Sequence, residues 1–318
     1  MRSTETSGSG RARAIGEGAL PVESRQGDAA PRASEAVQPP VSVMIFTLDE
    51  EVNLPSCLDA AGWCDDIIVV DSFSRDRTEE IALAHGARFV QHRFTGFGDQ
   101  RNWALVNARP KHDWVLILDA DERLTPELAA EMARILRDVP PTVAAFRVRR
   151  RFHLWGRWLR YSSLYPNWVV RLVRVGRVRY VNRGHAETQE VDGDIRALDA
   201  DLIDENLKGL DEWLARQWRY AGAEAEHERE LARLAVPLGD VLSRDPMRRR
   251  NAIKLLASRM PARPIVYFLY SYIWRGGWRD GRDGLLFCYM KALYQSMIVI
   301  RKHDAERRHS ADQRRLGS

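Results

Sequence analysis

Apolar and polar positions change rhythm several times along this chain. Val41-Ser42-Val43-Met44-Ile45-Phe46-Thr47 is a nearly unbroken apolar run, rich in β-branched residues and placed directly after Pro39-Pro40. That is the pattern of a strand covered on both faces. Residues 54–61 read as a helix, residues 66–71 as a second buried strand, and residues 78–84 as a helix stopped by Gly86. Residues 88–91 form a third strand, residues 102–108 are helical, and residues 113–118 make a fourth strand ending at Asp119. Strands and helices alternating at this spacing predict a mainly parallel α/β sheet of the Rossmann-like kind, flanked by helices. Ligands of such sheets gather at the carboxyl ends of the strands.

Beyond Asp119 the pattern predicts a helix over residues 126–137 and a strand over residues 144–149 that opens an Arg-, Trp- and Tyr-rich stretch running to Tyr180. Residues 207–234 form the longest predicted helix, with Leu207, Leu210, Trp213, Leu214, Trp218, Ala221 and Ala225 in one stripe expected to pack on the core. Two later segments, 264–274 and 284–300, are apolar and aromatic but shorter than the about 20 residues that span a bilayer. They read either as helices lying in a membrane interface or as helices packed on the domain. Residues 1–40, rich in Gly, Ser, Ala, Arg, Glu and Pro, are expected to be a disordered leader. The resulting division is 1–40 leader, 41–235 α/β domain and 236–318 helical region, membrane-associated on the first of those readings and packed on the domain on the second.

With 318 residues, 45% of them hydrophobic, the chain can bury a full core. Cys57, Cys64 and Cys288 are unevenly spaced and lack neighbouring His, so neither a disulfide framework nor a zinc site is expected. With no apolar run of a secretory signal, export is not expected, and the cysteines suit a reducing cytosolic location. The formal charge of +5 suits anionic partners generally, whether nucleotide diphosphates, acidic lipids or nucleic acid. Arg147, Arg149, Arg150 and Arg151 read as a solvated or membrane-facing patch.

Asp-x-Asp occurs three times: Asp119/Asp121, Asp192/Asp194 and Asp199/Asp201. The second flanks Gly193 and reads as a hairpin turn; the third reads as a turn or helix start. Only the first directly follows a continuous apolar strand, where two carboxylates suit Mg2+ or Mn2+ beside phosphate oxygens. Asp71, after the second strand, is placed to accept from a base N–H or ribose hydroxyl, and Glu50, after the first, is similarly placed to meet a nucleoside.

Thr47-x-Asp49-Glu50, Asp71-Ser72-x-Ser74-x-Asp76-x-Thr78, Gly96-Phe97-Gly98-x-Gln100-x-Asn102 and Leu118-Asp119-Ala120-Asp121-Glu122 together resemble family 2 glycosyltransferases. Over about residues 41–220 the likeness is nearest to the bacterial branch that builds lipopolysaccharide core and other envelope polysaccharides. The resemblance implies the GT-A fold and inverting transfer from a nucleotide sugar, UDP-sugars favoured, to a glycolipid or saccharide acceptor. It also implies a divalent metal held by Asp121 with Asp119 nearby, and a nucleoside pocket lined by Thr47, Glu50, Asp71 and Ser72. Gln100, Arg101 and Asn102 would then approach the donor, and Arg171 the diphosphate. Asp49 departs from the usual Asn, and His185-Ala186-Glu187 from the usual adjacent His-Glu.

Inverting transfer needs a group to take the acceptor hydroxyl proton. Glu187 is the first choice, with Asp204 and Glu190 as rivals; a surface Glu beside a structural His is the plainer alternative. Trp155, Trp158, Tyr161, Tyr165 and Trp168 read as an acceptor groove or as core packing. Two other functions compete. A nucleotidyltransferase would need a Gly-rich basic loop after strand one, which Thr47-Leu48-Asp49-Glu50-Glu51 does not supply. A nucleic-acid binder would set phosphate against the strand-end carboxylates, so no nucleic-acid partner is expected.

Overall fold

The computed structural model describes residues 39–183, 186–232, 238–243 and 262–316, with single positions between 245 and 260. Apart from Pro39 and Pro40, the expected leader lies outside the described residues, as do Gly184 and His185.

Strand β1 (Val41–Thr47) is buried along its whole length because it pairs in parallel with β2 (Ile67–Asp71) on one side and β4 (Trp114–Asp119) on the other. Its alternation supplies two layers. Val43 and Ile45 meet α1 (Leu54–Ala61) and α4 (Pro126–Ile135), while Met44 and Phe46 face Ala104 and Leu105 of α3 (Phe97–Asn107). Helix α2 (Thr78–Ala84) leads to β3 (Arg88–Gln91), which pairs in parallel with β2. Thr125 caps α4 by accepting from Leu128 N–H at 3.2 Å, with Pro126 in the first turn.

The second half of the sheet is mixed. β5 (Glu122–Leu124), β6 (Val143–Leu154), β7 (Arg157–Trp158), β8 (Asn167–Arg174) and β11 (Asp194–Asp204) complete a nine-stranded sheet ordered β3-β2-β1-β4-β8-β6-β11-β5, with β7 on β6. β8 runs antiparallel to both β4 and β6. β9 (Val178–Arg183) and β10 (Ala186–Val191) form a separate antiparallel hairpin over α3. This is a GT-A-like layered α/β sheet with helices on its faces.

Several expectations change. Asp192-Gly193-Asp194 is a turn, but it joins β10 to β11, which do not pair with each other. Asp199 and Asp201 lie inside β11, and Asp201 is buried. Of the arginine run of β6, Arg147 is exposed as expected, but the other three are paired: Arg149 and Arg151 both reach Asp201, at 2.7 and 2.6 Å, and Arg150 reaches Asp204 at 3.1 Å. The cause is the parallel pairing of β6 with β11, which brings those acids alongside.

Helix α5 (Gly209–Ala232) keeps only the lower part of its stripe on the core. Ala221 and Ala225 are buried, whereas Leu210, Leu214 and Trp218 are exposed. The longest helix is instead the terminal one. A short α6 (Arg263–Leu269) continues into a π turn (Tyr270–Trp274), and after a 3₁₀ turn (Gly277–Asp280) α7 runs from Gly281 to Leu316. α7 packs on α5, and Asp280 accepts from the Ser162 N–H and hydroxyl, both at 2.7 Å. Among the described residues, no helix is long and apolar enough to cross a membrane.

Candidate active site

Asp119 ends β4 beside the middle of β8 and the first turns of α3, and both neighbours supply arginine. Arg101 and Arg171 each donate to one Asp119 oxygen at 2.6 Å; desolvation at the strand end works to raise this partly exposed carboxyl, but the two guanidiniums hold it well below its usual range. Arg171 points there because the β6–β8 ladder slips: Phe146 pairs with Leu172 and Arg147 with Val170, skipping Arg171. A bulge of this kind re-aims a side chain. The same Arg171 nitrogen donates to Glu122 at 2.6 Å, and burial pushes the Glu122 carboxyl up.

From Asp119 an alternating chain of charges extends both ways. Arg101 carries Glu187 as well as Asp119, so Glu187 of β10 is brought into the centre. On the other side Glu122 lies 3.5 Å from Arg150, which reaches Asp204 at 3.1 Å. Burial is the largest influence on Asp204, and with Asp121, Glu122 and Asp119 nearby its carboxyl is pushed up to about 7 despite Arg150. Glu190, the other rival, is exposed on β10.

The position of Glu187 is fixed from α3. In the hairpin Glu187 stands opposite Asn182, whose side-chain oxygen accepts from Gly98 N–H at 2.8 Å. Asn102 makes two bonds of 2.8 Å with the backbone of Tyr180. A Cβ on Gly98 would lie 2.9 Å from the Asn182 side chain and 3.3 Å from backbone, which is why the Gly-x-Gly segment has no side chain there. Asn102 therefore holds the hairpin rather than facing an open pocket.

The β1 and β2 ends are zipped together by their own polar groups. Asp71, buried, accepts from Thr47 hydroxyl at 2.9 Å, Ser74 N–H at 2.9 Å, Ser74 hydroxyl and Gln91 at 3.2 Å. Asp49, with φ of 54°, accepts from Arg75 N–H at 2.7 Å, and Gln100 donates to Ser72 at 2.7 Å. Glu50 is held by Lys208 at 2.6 Å and Asn53 at 2.8 Å, and burial raises its carboxyl.

Asp121 differs from Asp119 in having oxygens to offer. One accepts from Asn206 at 3.2 Å and lies 3.8 Å from Arg216; the other has no partner among the described residues. No group of three or more His, Cys, Asp or Glu converges among those residues. A hard divalent cation fits here through one carboxylate, with substrate phosphate oxygens and water completing its shell, which is an ordinary Mg2+ arrangement. Asp119, committed to two guanidiniums, would sit behind it.

A cleft of about 780 Å³ opens beside Asp119, lined by Arg101, Arg171, Glu187, Trp168 and Tyr220 among others. Arg171 Nε and Glu187 Oε2 of this lining, and Tyr180 Oη outside it, are buried without a hydrogen-bond partner among the described residues. Thr47, Glu50, Asp71 and Ser72 lie on the other side of Asp119, at the ends of β1 and β2. Trp155 is exposed, and Trp158 stacks edge-on with Tyr165. Lys208, Arg216, Asn206, Tyr180 and Arg150 were not singled out from sequence as site residues. The acids of β11 followed by Asn206 and Lys208 were the one available signal, and it has no periodicity to mark it.

Residues 42–206 match the family model for Glycosyl transferase family 2. The chain is 25% identical over 283 residues to the lipopolysaccharide core biosynthesis glycosyltransferase LpsC of Rhizobium meliloti, covering 86% of this chain and 96% of that one. It is 35% identical over 103 residues to an uncharacterized glycosyltransferase of Rickettsia bellii, covering 32% and 34% respectively. Glucosyl-3-phosphoglycerate synthase from Mycobacterium tuberculosis, solved with Mn2+, UDP and phosphoglyceric acid, is a solved structure similar to it at 19% identity and a TM-score of 0.39, covering 59% of this chain and 78% of that chain. The family match takes in more than half of the chain, from β1 through the end of β11, and the chain therefore belongs to glycosyl transferase family 2, enzymes that take sugar from a nucleotide-sugar donor.

Proposed function

We propose that the enzyme transfers a sugar, with inversion, from a UDP-sugar to a lipid-linked or saccharide acceptor of the lipopolysaccharide core. The observation that carries this reading is the asymmetric pair at the end of β4: Asp119 locked between Arg101 and Arg171, Asp121 with an uncommitted oxygen. The name of the Rhizobium meliloti relative, which aligns over nearly its whole length, supports the acceptor class.

In this reading the nucleoside lies over the ends of β1 and β2, by Thr47, Glu50, Asp71 and Ser72, with Gln100 and Arg171 toward the diphosphate. Asp121, with Asp119 behind it, would hold Mg2+ or Mn2+, which when bound neutralises charge on the leaving diphosphate. Glu187 takes the proton of the acceptor hydroxyl as that oxygen bonds to the anomeric carbon and the bond to the diphosphate breaks. Its Oε2 has no hydrogen-bond partner among the described residues, while Arg101 on Oε1 keeps the carboxylate oriented.

The enzyme works peripherally at the cytoplasmic face of the inner membrane. Ile265, Leu269 and Ile273 form one exposed stripe with Val266, Tyr270 and Trp274 on α6 and its π turn. Exposed Arg275, Arg279 and Arg282 follow it, the composition of an interfacial surface.

The test is a screen of UDP-, GDP-, ADP- and dTDP-sugars with Mn2+ or Mg2+, reading release of the nucleoside diphosphate. No binding or turnover with any donor under either metal would sink the reading. Asp121→Ala is expected to abolish turnover with the melting temperature retained.

A further inference from the structure

The cleft beside Asp119 contains more cationic groups than the donor chemistry uses. Arg101, Arg150 and Arg171 each have carboxylate partners within the alternating chain. Arg147, which also lines the cleft, has none among the described residues. Its guanidinium lies over the Trp168 ring at 4.7 Å. Arg149 approaches the same ring at 5.6 Å, but its own N–H groups are spent on Asp201.

Stacking on an indole holds a guanidinium flat and leaves its N–H edges free in the ring plane, the geometry that grips a carboxylate or phosphate with two parallel bonds. Arg147 sits where the β6–β8 ladder slips, so the same bulge that turns Arg171 toward Asp119 also sets the register of Arg147 against Val170. The nucleoside candidates at the β1 and β2 ends are on the far side of Asp119, so a nucleotide occupying them leaves this cleft open.

We propose that the cleft is the acceptor site and that it selects an acidic saccharide, with Arg147 gripping a carboxylate or phosphate on the acceptor sugar while Glu187 faces the hydroxyl to be glycosylated. This rests on the glycosyl-transfer reading above. It adds the chemical class of the acceptor and gives Arg147 a role in specificity.

The test is calorimetric and uses the full chain saturated with UDP and Mn2+, so that the diphosphate subsite is filled. The probes are methyl glucuronide, methyl glucoside 6-phosphate and methyl glucoside. Either acidic probe is expected to bind about ten- to a hundredfold more tightly than the neutral one, the range of a charge-assisted bidentate contact. The tighter of the two identifies the anionic group. Arg147→Gln is expected to erase the preference, and Arg147→Lys to restore only part of it, because the charge returns without the fork.

Equal binding of all three probes overturns the proposal. So does a preference that survives in Arg147→Gln, or a loss of UDP affinity in place of probe affinity. Failure of UDP to bind would count against the donor reading instead, and the probe comparison on the unloaded protein would still decide the role of Arg147.

Discussion

Replacing Asp204 by Asn tests the electrostatics of the centre through stability alone. Asp204 is 14% exposed, and burial raises its carboxyl from 3.8 to about 7, with Arg150 opposing and Asp121, Glu122 and Asp119 reinforcing. Between those values the native chain binds a proton that the unfolded chain has released, so stability falls as pH rises from about 4 to about 7. A shift of about three units corresponds to about 4 kcal/mol at about 1.4 kcal/mol per unit. Relaxation of the neighbouring ion pairs reduces the realised figure to about 2 kcal/mol.

Asn keeps the size of the protonated acid and cannot ionise, and Arg150 retains Glu122 at 3.5 Å. Urea melts at pH 5, 6, 7 and 8.5 are therefore expected to show the variant and the wild type alike at pH 5, and the variant ahead by about 2 kcal/mol at pH 8.5. A difference that stays constant with pH, or one that moves in favour of the wild type as pH rises, would refute the reasoning.

Glu187→Gln is expected to lower the transfer rate by about 10²- to 10⁴-fold with UDP binding retained, while Asp204→Asn keeps most of the activity; the reverse ranking in a coupled UDP-release assay would make Asp204 the base. Gly98→Ala drives a Cβ to 2.9 Å from Asn182 and should cost about 1–2 kcal/mol in a chemical melt, with a fall in turnover because Asn182 pairs with Glu187. Replacing exposed Ile273 and Trp274 by Ser is expected to weaken co-sedimentation with vesicles containing anionic lipid by about tenfold or more. If the wild type does not sediment with those vesicles, the interfacial surface is wrong.

The parallel half of the fold was legible because burial on both faces leaves a local trace. β1, β2 and β4 are apolar runs with polar ends, and those ends carry Thr47, Asp71 and Asp119. The mixed half was not, for a reason of range. β6 displays Arg149, Arg150 and Arg151, which in isolation look solvated like Arg147 before them, and their partners Asp201 and Asp204 lie about fifty residues away on β11. A charge is recognised as buried only when its counter-charge is known, and strand pairing at that distance leaves no periodic signal. α5 failed differently: its stripe is continuous, but α7 covers only the lower part around Ala221 and Ala225, where Ile298 packs.

The alternating chain also bears on why a divalent cation suits this centre. Glu187, Asp119, Glu122 and Asp204 face Arg101, Arg171 and Arg150, so four carboxylates meet three guanidiniums. Fully ionised, the chain carries one surplus negative charge, and Asp121 at its edge adds another that Arg216, 3.8 Å away and shared with Glu212, offsets only in part. Burial is the main reason the Glu122 and Asp204 carboxyls are raised, and the neighbouring carboxylates add to it. A nucleoside diphosphate would bring further negative charge to the same place. Arg101, Arg171 and Arg150 are already shared with these carboxylates, so what Arg171 offers a diphosphate is only part of the charge needed. A divalent cation on the uncommitted oxygen of Asp121, as proposed above, would supply the remainder.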